Sequence, residues 1–263
     1  MSRPLRLYAG DGTYFVTART FQGRLFFRGI TEHNEVLGGV LAKAAKTYKI
    51  DLYAFVFASN HVHLLVRARD GTLSAFMQYL LGNASRKIGK LVDWRGSLWE
   101  RRFSAEPVLD DEALLGRFKY ILAHGVKEGL VRRVEEWPVL SSLQLLLSDS
   151  AREYSWFNWS RRWVKGRLKA LGKDLLNEEW AEKVTLTLAI PAALQDLSLT
   201  ARRELIAGLI TEIEREGRAK HRRVLGVAGL RAQGRHARPR KIEREGVRNS
   251  VFRPERRLMP LGG

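Results

Sequence analysis

The sequence predicts an α+β fold: an antiparallel sheet with helices on one face, followed by a mainly helical, basic C-terminal extension. Three observations lead there. Short β-branched and aromatic runs alternate with stretches of helical apolar spacing, in the order strand, helix, strand, strand, helix, strand, over the first half of the chain. Hydrophobic residues make up 45% of 263 positions, enough to bury a substantial core. Basic residues dominate the last quarter, where from Ala201 onward 17 Lys and Arg stand against 7 Asp and Glu.

The first strand is Tyr14 to Arg19, short and β-branched, after the turn-forming Gly10-Asp11-Gly12. Thr31 is placed to cap a helix over about 32–48, in which Val36, Leu37, Val40, Leu41, Ala44 and Ala45 recur at helical spacing. Leu52–Phe57 and His61–Arg67 read as two strands joined by Ala58-Ser59-Asn60, a hairpin signal. Leu73–Leu91 is the second helix, with Leu73, Phe76, Met77, Leu80, Leu81 and Ile88 on one side. Leu98–Val108 supplies the fourth strand. This order is the ferredoxin-like split βαβ arrangement, whose second sheet face is expected to stay free for a ligand. A third helix runs from Asp110, where three successive carboxylates suit a helix N-terminus, to about His124.

Beyond Ser142, Trp156, Trp159 and Trp163 sit on a helical period, and a further helix is expected from Thr200 to about Arg223. From Gly226 onward Gly, Arg and Pro displace apolar residues, so this tail is expected to be extended or ordered only on binding. The domains expected are residues 1–142, a helical accessory region 143–225 and a basic tail 226–263. No run approaches the roughly 18 apolar residues of a membrane span and the N-terminus lacks a signal peptide's apolar stretch, so a cytoplasmic address without membrane contact is expected. With no cysteine, disulfides and thiolate zinc sites are excluded, and any metal must be held by His, carboxylates or amides. The net charge of +18 makes a polyanion, above all nucleic acid, the default partner.

Two spacings carry chemistry. His61 and His63 alternate along a strand and therefore leave the same face, where two imidazoles can converge on one ion. Tyr120 and His124 are four apart on a helix, so a hydroxyl nucleophile and a third ligand arrive on one face together. A lone histidine, or a helical tyrosine with its hydroxyl at the rim of a core, is more often structural than functional, so the set matters more than any member.

The set resembles the single-tyrosine HUH transposases, especially those associated with repetitive extragenic palindromes. Ser59-Asn60-His61-Val62-His63-Leu64-Leu65-Val66 is similar to that family's Asn-His-hydrophobic-His core. Leu73-Ser74-Ala75-Phe76-Met77-Gln78 resembles the start of its second helix, Gly96-Ser97-Leu98-Trp99-Glu100-Arg101-Arg102-Phe103 its Gly-x-Leu-Trp-x-x-Arg-Phe segment, and Tyr120 to Val131 the end of its nucleophile helix. The resemblance spans about Leu7 to Ser142. His124 departs from it, standing where the family usually has Asn or Gln.

The resemblance implies Tyr120 as nucleophile, a 5′-phosphotyrosine intermediate with a free 3′-hydroxyl, and a homodimer acting on single-stranded or hairpin DNA, hence a cytoplasmic, nucleoid-associated protein. A divalent cofactor, Mg or Mn, is expected on His61, His63 and His124, the three imidazoles tilting the choice toward Mn. Arg67, Arg86, Lys87, Trp99, Arg101, Arg102, Lys119 and Lys127 are expected to contact DNA by charge or stacking. Lys119 is also a cation near the phenol, which at a reference pKa near 10 needs help to lose its proton. The competing reading is a domesticated regulator that binds palindromic DNA or structured RNA without cutting it. An RNA-binding sheet of the same topology would instead carry exposed aromatics on its central strands.

Overall fold

Period-two alternation divides the strand side chains between two cores, one on each face of a single sheet. In the computed structural model, which describes residues 8, 10–158, 181–234 and 236–238, β1 (Gly12–Arg19), α1 (Thr31–Tyr48), β2 (Asp51–Ala58), β3 (His61–Ala68), α2 (Leu73–Leu91) and β4 (Ser104–Pro107) follow in the expected order. The sheet runs β2-β3-β1-β4 and is antiparallel throughout, as a split βαβ unit requires. Tyr14, Val16, Ala18, Val62, Leu64 and Val66 pack with Val36, Leu37, Val40 and Leu41 of α1 and Phe76, Met77, Leu80 and Ile88 of α2. The alternate residues Phe15 and Leu65 belong to a second core on the opposite face. A bulge between Leu52 and Ala54 brings Tyr53 and Ala54 into that second core as well.

The second face is not free, which corrects the sequence expectation. It is covered by α3 (Asp111–Lys127), through Leu114, Phe118, Ile121 and Leu122. The reason lies in the strands, since Phe15, Val56 and Leu65 face that side and apolar positions demand a cover. α3 starts where its carboxylates predicted, with Asp110 accepting a 2.7 Å hydrogen bond from the Ala113 amide.

Other boundaries also shift. Thr31 is the first helical residue of α1 and Ile30 holds the cap position without a side-chain bond. Leu98–Phe103 lies outside β4, which pairs only as Ser104–Pro107. Leu98 is instead buried in the first core and the Trp99 indole donates to the Leu81 carbonyl at 2.9 Å, so side chains and a single Thr20–Trp99 bridge anchor this segment in place of a full strand.

After α4 (Leu143–Ser148), β5 (Arg152–Phe157) and β6 (Ala181–Leu186) form an antiparallel ribbon. Trp156 is therefore a strand residue, not part of a helix: Tyr154 and Trp156 are buried while Arg152 and Glu153 are exposed. Trp159 and Trp163 lie outside the described residues. The ribbon packs on α1 where glycine leaves room, since a Cβ on Gly38 would sit 2.2 Å from the Tyr154 ring and one on Gly39 2.3 Å from the Ser155 carbonyl oxygen.

The next helix, α5, spans Leu199–Lys220 with Ser198 as its N-cap. α6 (Gly226–Arg231) replaces the extended chain expected there; Leu230 is buried in the second core, which gives this short turn something to pack against. The tail beyond Arg238 lies outside the described residues. Among those residues no helix is long and apolar enough to cross a membrane.

Candidate metal and tyrosine site

At its polar end the second sheet face brings the three histidines together. Alternation along β3 sets His61 and His63 side by side, with ring centroids 4.7 Å apart. His124 descends from α3 to 4.6 Å from His61 and 5.5 Å from His63, and one ligating nitrogen of each ring lies within 4.8 Å of the others. His63 and His124 are buried and His61 is half-buried. Gly125 makes this descent possible, because a Cβ there would meet the Trp137 ring at 2.5 Å. The Trp137 indole is fixed by donating to the Phe57 carbonyl at 3.0 Å.

Tyr120 sits one turn earlier on α3, half-buried and edge-on to His63 at 5.3 Å between centroids. Phe15 organises both rings, stacking on His63 at 5.1 Å and meeting Tyr120 edge-on at 5.6 Å. The Lys127 ammonium lies 4.3 Å from the Tyr120 ring centre.

Burial governs the charge of the cluster. It pushes His61 down to about 2 and His63 to about 3, with repulsion from His124 adding to both, and His124 down to about 4. All three rings are therefore neutral at pH 7 and keep a lone pair for coordination. Two are oriented from behind: Thr17 Oγ1 lies 2.8 Å from His63 Nδ1, and Asn60 Oδ1 lies 2.7 Å from His61 Nδ1. Three neutral imidazoles fit a divalent transition ion, whereas Mg prefers oxygen ligands.

The residues expected to contact DNA separate into distinct groups. Lys127 is exposed beside Tyr120. Arg101 and Arg102 are exposed on the segment that runs along the end of β1, where Glu100 donates to the Arg19 carbonyl and Thr20 bridges Trp99. Arg67 lies toward the far end of β3 in a two-bond pair with Asp11, at 2.7 and 2.8 Å. Lys119 turns away from Tyr120 to Glu212 and Glu216 of α5, at 3.0 and 2.9 Å, so it is not the cation beside the phenol.

Arg86, Lys87 and Trp99 are contributed to the opposite side of the sheet. Arg86 bonds Asn83 on α2, and Trp99 packs at 5.6 Å from Phe27 of the first core. Lys87 is only 2% exposed, donates to the Phe157 carbonyl at 2.9 Å and lies 4.0 Å over the Trp156 ring. Burial lowers its pKa to about 7, and its enclosure removes it from the DNA-contact candidates.

Sequence reasoning did not assign roles to Arg19, Thr17, Phe15 or Trp137. Arg19 pairs in register with His61, is exposed, and contributes to holding down the proton affinity of both strand histidines. Its signal was parity: Phe15, Thr17 and Arg19 share one face of β1, but only the β1–β3 register identifies that face as the histidine side.

Residues 24–123 match the family model described as IS200-like transposase. A relative from Haemophilus influenzae, named among the REP-associated tyrosine transposases, is 26% identical over 152 residues, covering 54% of this chain and 85% of the relative. A solved REP-associated tyrosine transposase bound to a REP hairpin is 19% identical, with a TM-score of 0.46 over 70% of this chain and 99% of that one. A Deinococcus radiodurans structure assigned to the transposases is 20% identical, with a TM-score of 0.33 over 46% of this chain and 95% of its own.

Proposed function

Taking as premise a chain whose residues 24–123 match the IS200-like transposases, we propose that it is a divalent-metal-dependent endonuclease and strand transferase for single-stranded, hairpin-forming DNA. The observation that carries this reading is the meeting of the Tyr120 ring with a cluster of three neutral imidazoles, 5.3 Å from His63.

His61, His63 and His124 would hold the ion, which when bound supplies a Lewis acid that draws charge from a non-bridging phosphate oxygen. Tyr120 provides the nucleophile. Its phenolic oxygen attacks phosphorus and loses its proton, the bond from phosphorus to the 3′ oxygen breaks, and that oxygen leaves as a hydroxyl after taking up a proton. The product is a 5′-phosphotyrosine, and attack by a 3′-hydroxyl reverses the step and rejoins strands.

Phe15 packs against both His63 and Tyr120 and so restricts the direction from which the phenol approaches. Lys127 attracts the negative charge that develops on the phenolic oxygen. Arg19, Arg101 and Arg102 are exposed cations at this end of the sheet and, with Lys127, would grip the phosphates of an unpaired strand. The family resemblance adds a homodimer associated with the nucleoid. His61, His63, His124 and Tyr120 of one chain lie together, which supports a site assembled within a single subunit.

The test is a denaturing gel of the protein incubated with a synthetic hairpin oligonucleotide and Mn. Wild type is expected to give a covalent adduct, and Tyr120→Phe to bind the oligonucleotide without forming one. Adduct formation by Tyr120→Phe would reject the assignment. Binding without adduct by wild type, with either Mn or Mg, would favour the regulator reading.

A further inference from the structure

We propose that Asn60 is a positioning residue which fixes His61 in its Nδ1–H tautomer, leaving Nε2 as the nitrogen with a lone pair to offer a metal. This role bears on metal binding only under the reading of the histidines as ligands, whereas the tautomer is a property of the metal-free chain.

The orientation of the Asn60 amide is decided by a carbonyl. Asn60 Nδ2 is 3.3 Å from the Gly23 carbonyl oxygen, and two oxygens cannot hydrogen-bond to each other, so the amide nitrogen must face Gly23. Oδ1 then faces His61 Nδ1 at 2.7 Å. An amide oxygen only accepts, so the ring nitrogen opposite must carry the hydrogen. The neutral imidazole has a single N–H, and placing it on Nδ1 leaves Nε2 bare.

The parts that impose this choice are themselves held. Gly23 adopts a left-handed backbone, φ 66°, and its amide donates to the Thr20 carbonyl at 3.0 Å. The fully buried Thr20 returns to Asn60, its amide and its hydroxyl each lying 2.9 Å from the Asn60 carbonyl oxygen. Asn60 is thus gripped at main chain and side chain by the turn after β1. His63 is different, because the Thr17 hydroxyl at its Nδ1 can donate or accept and dictates neither tautomer.

The experiment is a long-range 15N–1H correlation spectrum of the metal-free protein, paired with Mn titration. Wild type is expected to show His61 protonated on Nδ1. Asn60→Leu removes the acceptor and is expected to move the proton to Nε2 and weaken Mn binding about 10- to 100-fold, the usual effect of losing such a partner. Asn60→Asp keeps an acceptor and is expected to retain the Nδ1–H form, which covers the case in which the leucine variant does not fold.

A wild-type His61 protonated on Nε2 would overturn the proposal, as would an Asn60→Leu protein that binds Mn as tightly as wild type. An Nδ1–H His61 in a wild type that binds no Mn would support the Asn60 contact while overturning the metal reading itself.

Discussion

Acidifying the metal-free protein from about pH 7.5 to about pH 5.5 is predicted to destabilise it through the histidine cluster, and His61 permits the effect to be isolated. Its folded value, about 2, lies below the ordinary 6.5, so between these limits the unfolded chain binds a proton that the folded chain refuses. Stability is therefore retained above about pH 6.5 and lost as pH falls below it, at about 1.4 kcal/mol per unit. At one unit below 6.5 the loss from His61 is about 1.4 kcal/mol. His63 and His124, depressed to about 3 and about 4, follow the same sign and window, for roughly 4 kcal/mol in all if the three act independently. Urea unfolding of wild type and His61→Gln in chelator, at both pH values, cancels contributions from other groups. The wild type is expected to lose about 1.4 kcal/mol more than the variant. Equal losses would mean that folded His61 titrates at its ordinary value, and the neutral, desolvated cluster would be refuted.

The contact between α3 and α5 is tight enough to test with one carbon. A Cβ at Gly217 would lie 2.2 Å from Val126 Cγ1, so Gly217→Ala is expected to cost about 1–3 kcal/mol in urea unfolding despite alanine's better helix propensity, and adding Val126→Ala should recover part of the loss. The two lysines of α3 should differ in single-turnover adduct formation. Lys127→Met is expected to slow the step because its ammonium lies 4.3 Å from the Tyr120 ring centre, whereas Lys119→Met should leave the rate near wild type and cost about 0–1 kcal/mol through its exposed pairs with α5.

The sequence signals that survived folding were those set by local geometry. The helical stripe of α2 matched its full extent, Leu73–Leu91, and the two-residue and four-residue spacings of His61/His63 and Tyr120/His124 converged on one cluster. Signals that depend on a distant partner were weaker. Lys87 lies on the stripe that includes Phe76, Leu80 and Ala84, so its burial was implicit in the helical period, but its lysine identity pointed to solvent until β5 arrived to cap it with the Phe157 carbonyl. The spacing of Trp156 to the other tryptophans suggests a helix, although Tyr154 and Trp156 also share the parity of a strand. The cover over the second sheet face required knowing that Phe15, Val56 and Leu65 align across three strands, which is a matter of register.

That register bears on which histidines Tyr120 would serve under the proposed function. Phe118, Ile121 and Leu122 anchor α3 to its own sheet, while Lys119 and Val126 anchor its other side to α5 through two glutamates and Gly217. Carrying Tyr120 to a second subunit would require the apolar contacts and the α5 contacts to break before equivalent ones form on the partner, a barrier of about 25 cal/mol per Å² of apolar surface exposed in between. The tyrosine is therefore expected to act on the histidine pair of its own chain. Mixing Tyr120→Phe protein with a His61→Gln, His63→Gln variant tests this directly, since one retains the histidines and the other the proposed nucleophile. No adduct should appear with a hairpin oligonucleotide. Adduct formation by the mixture, with neither variant active alone, would show that α3 is exchanged between subunits and that the contacts of Phe118, Lys119 and Val126 do not hold it in place.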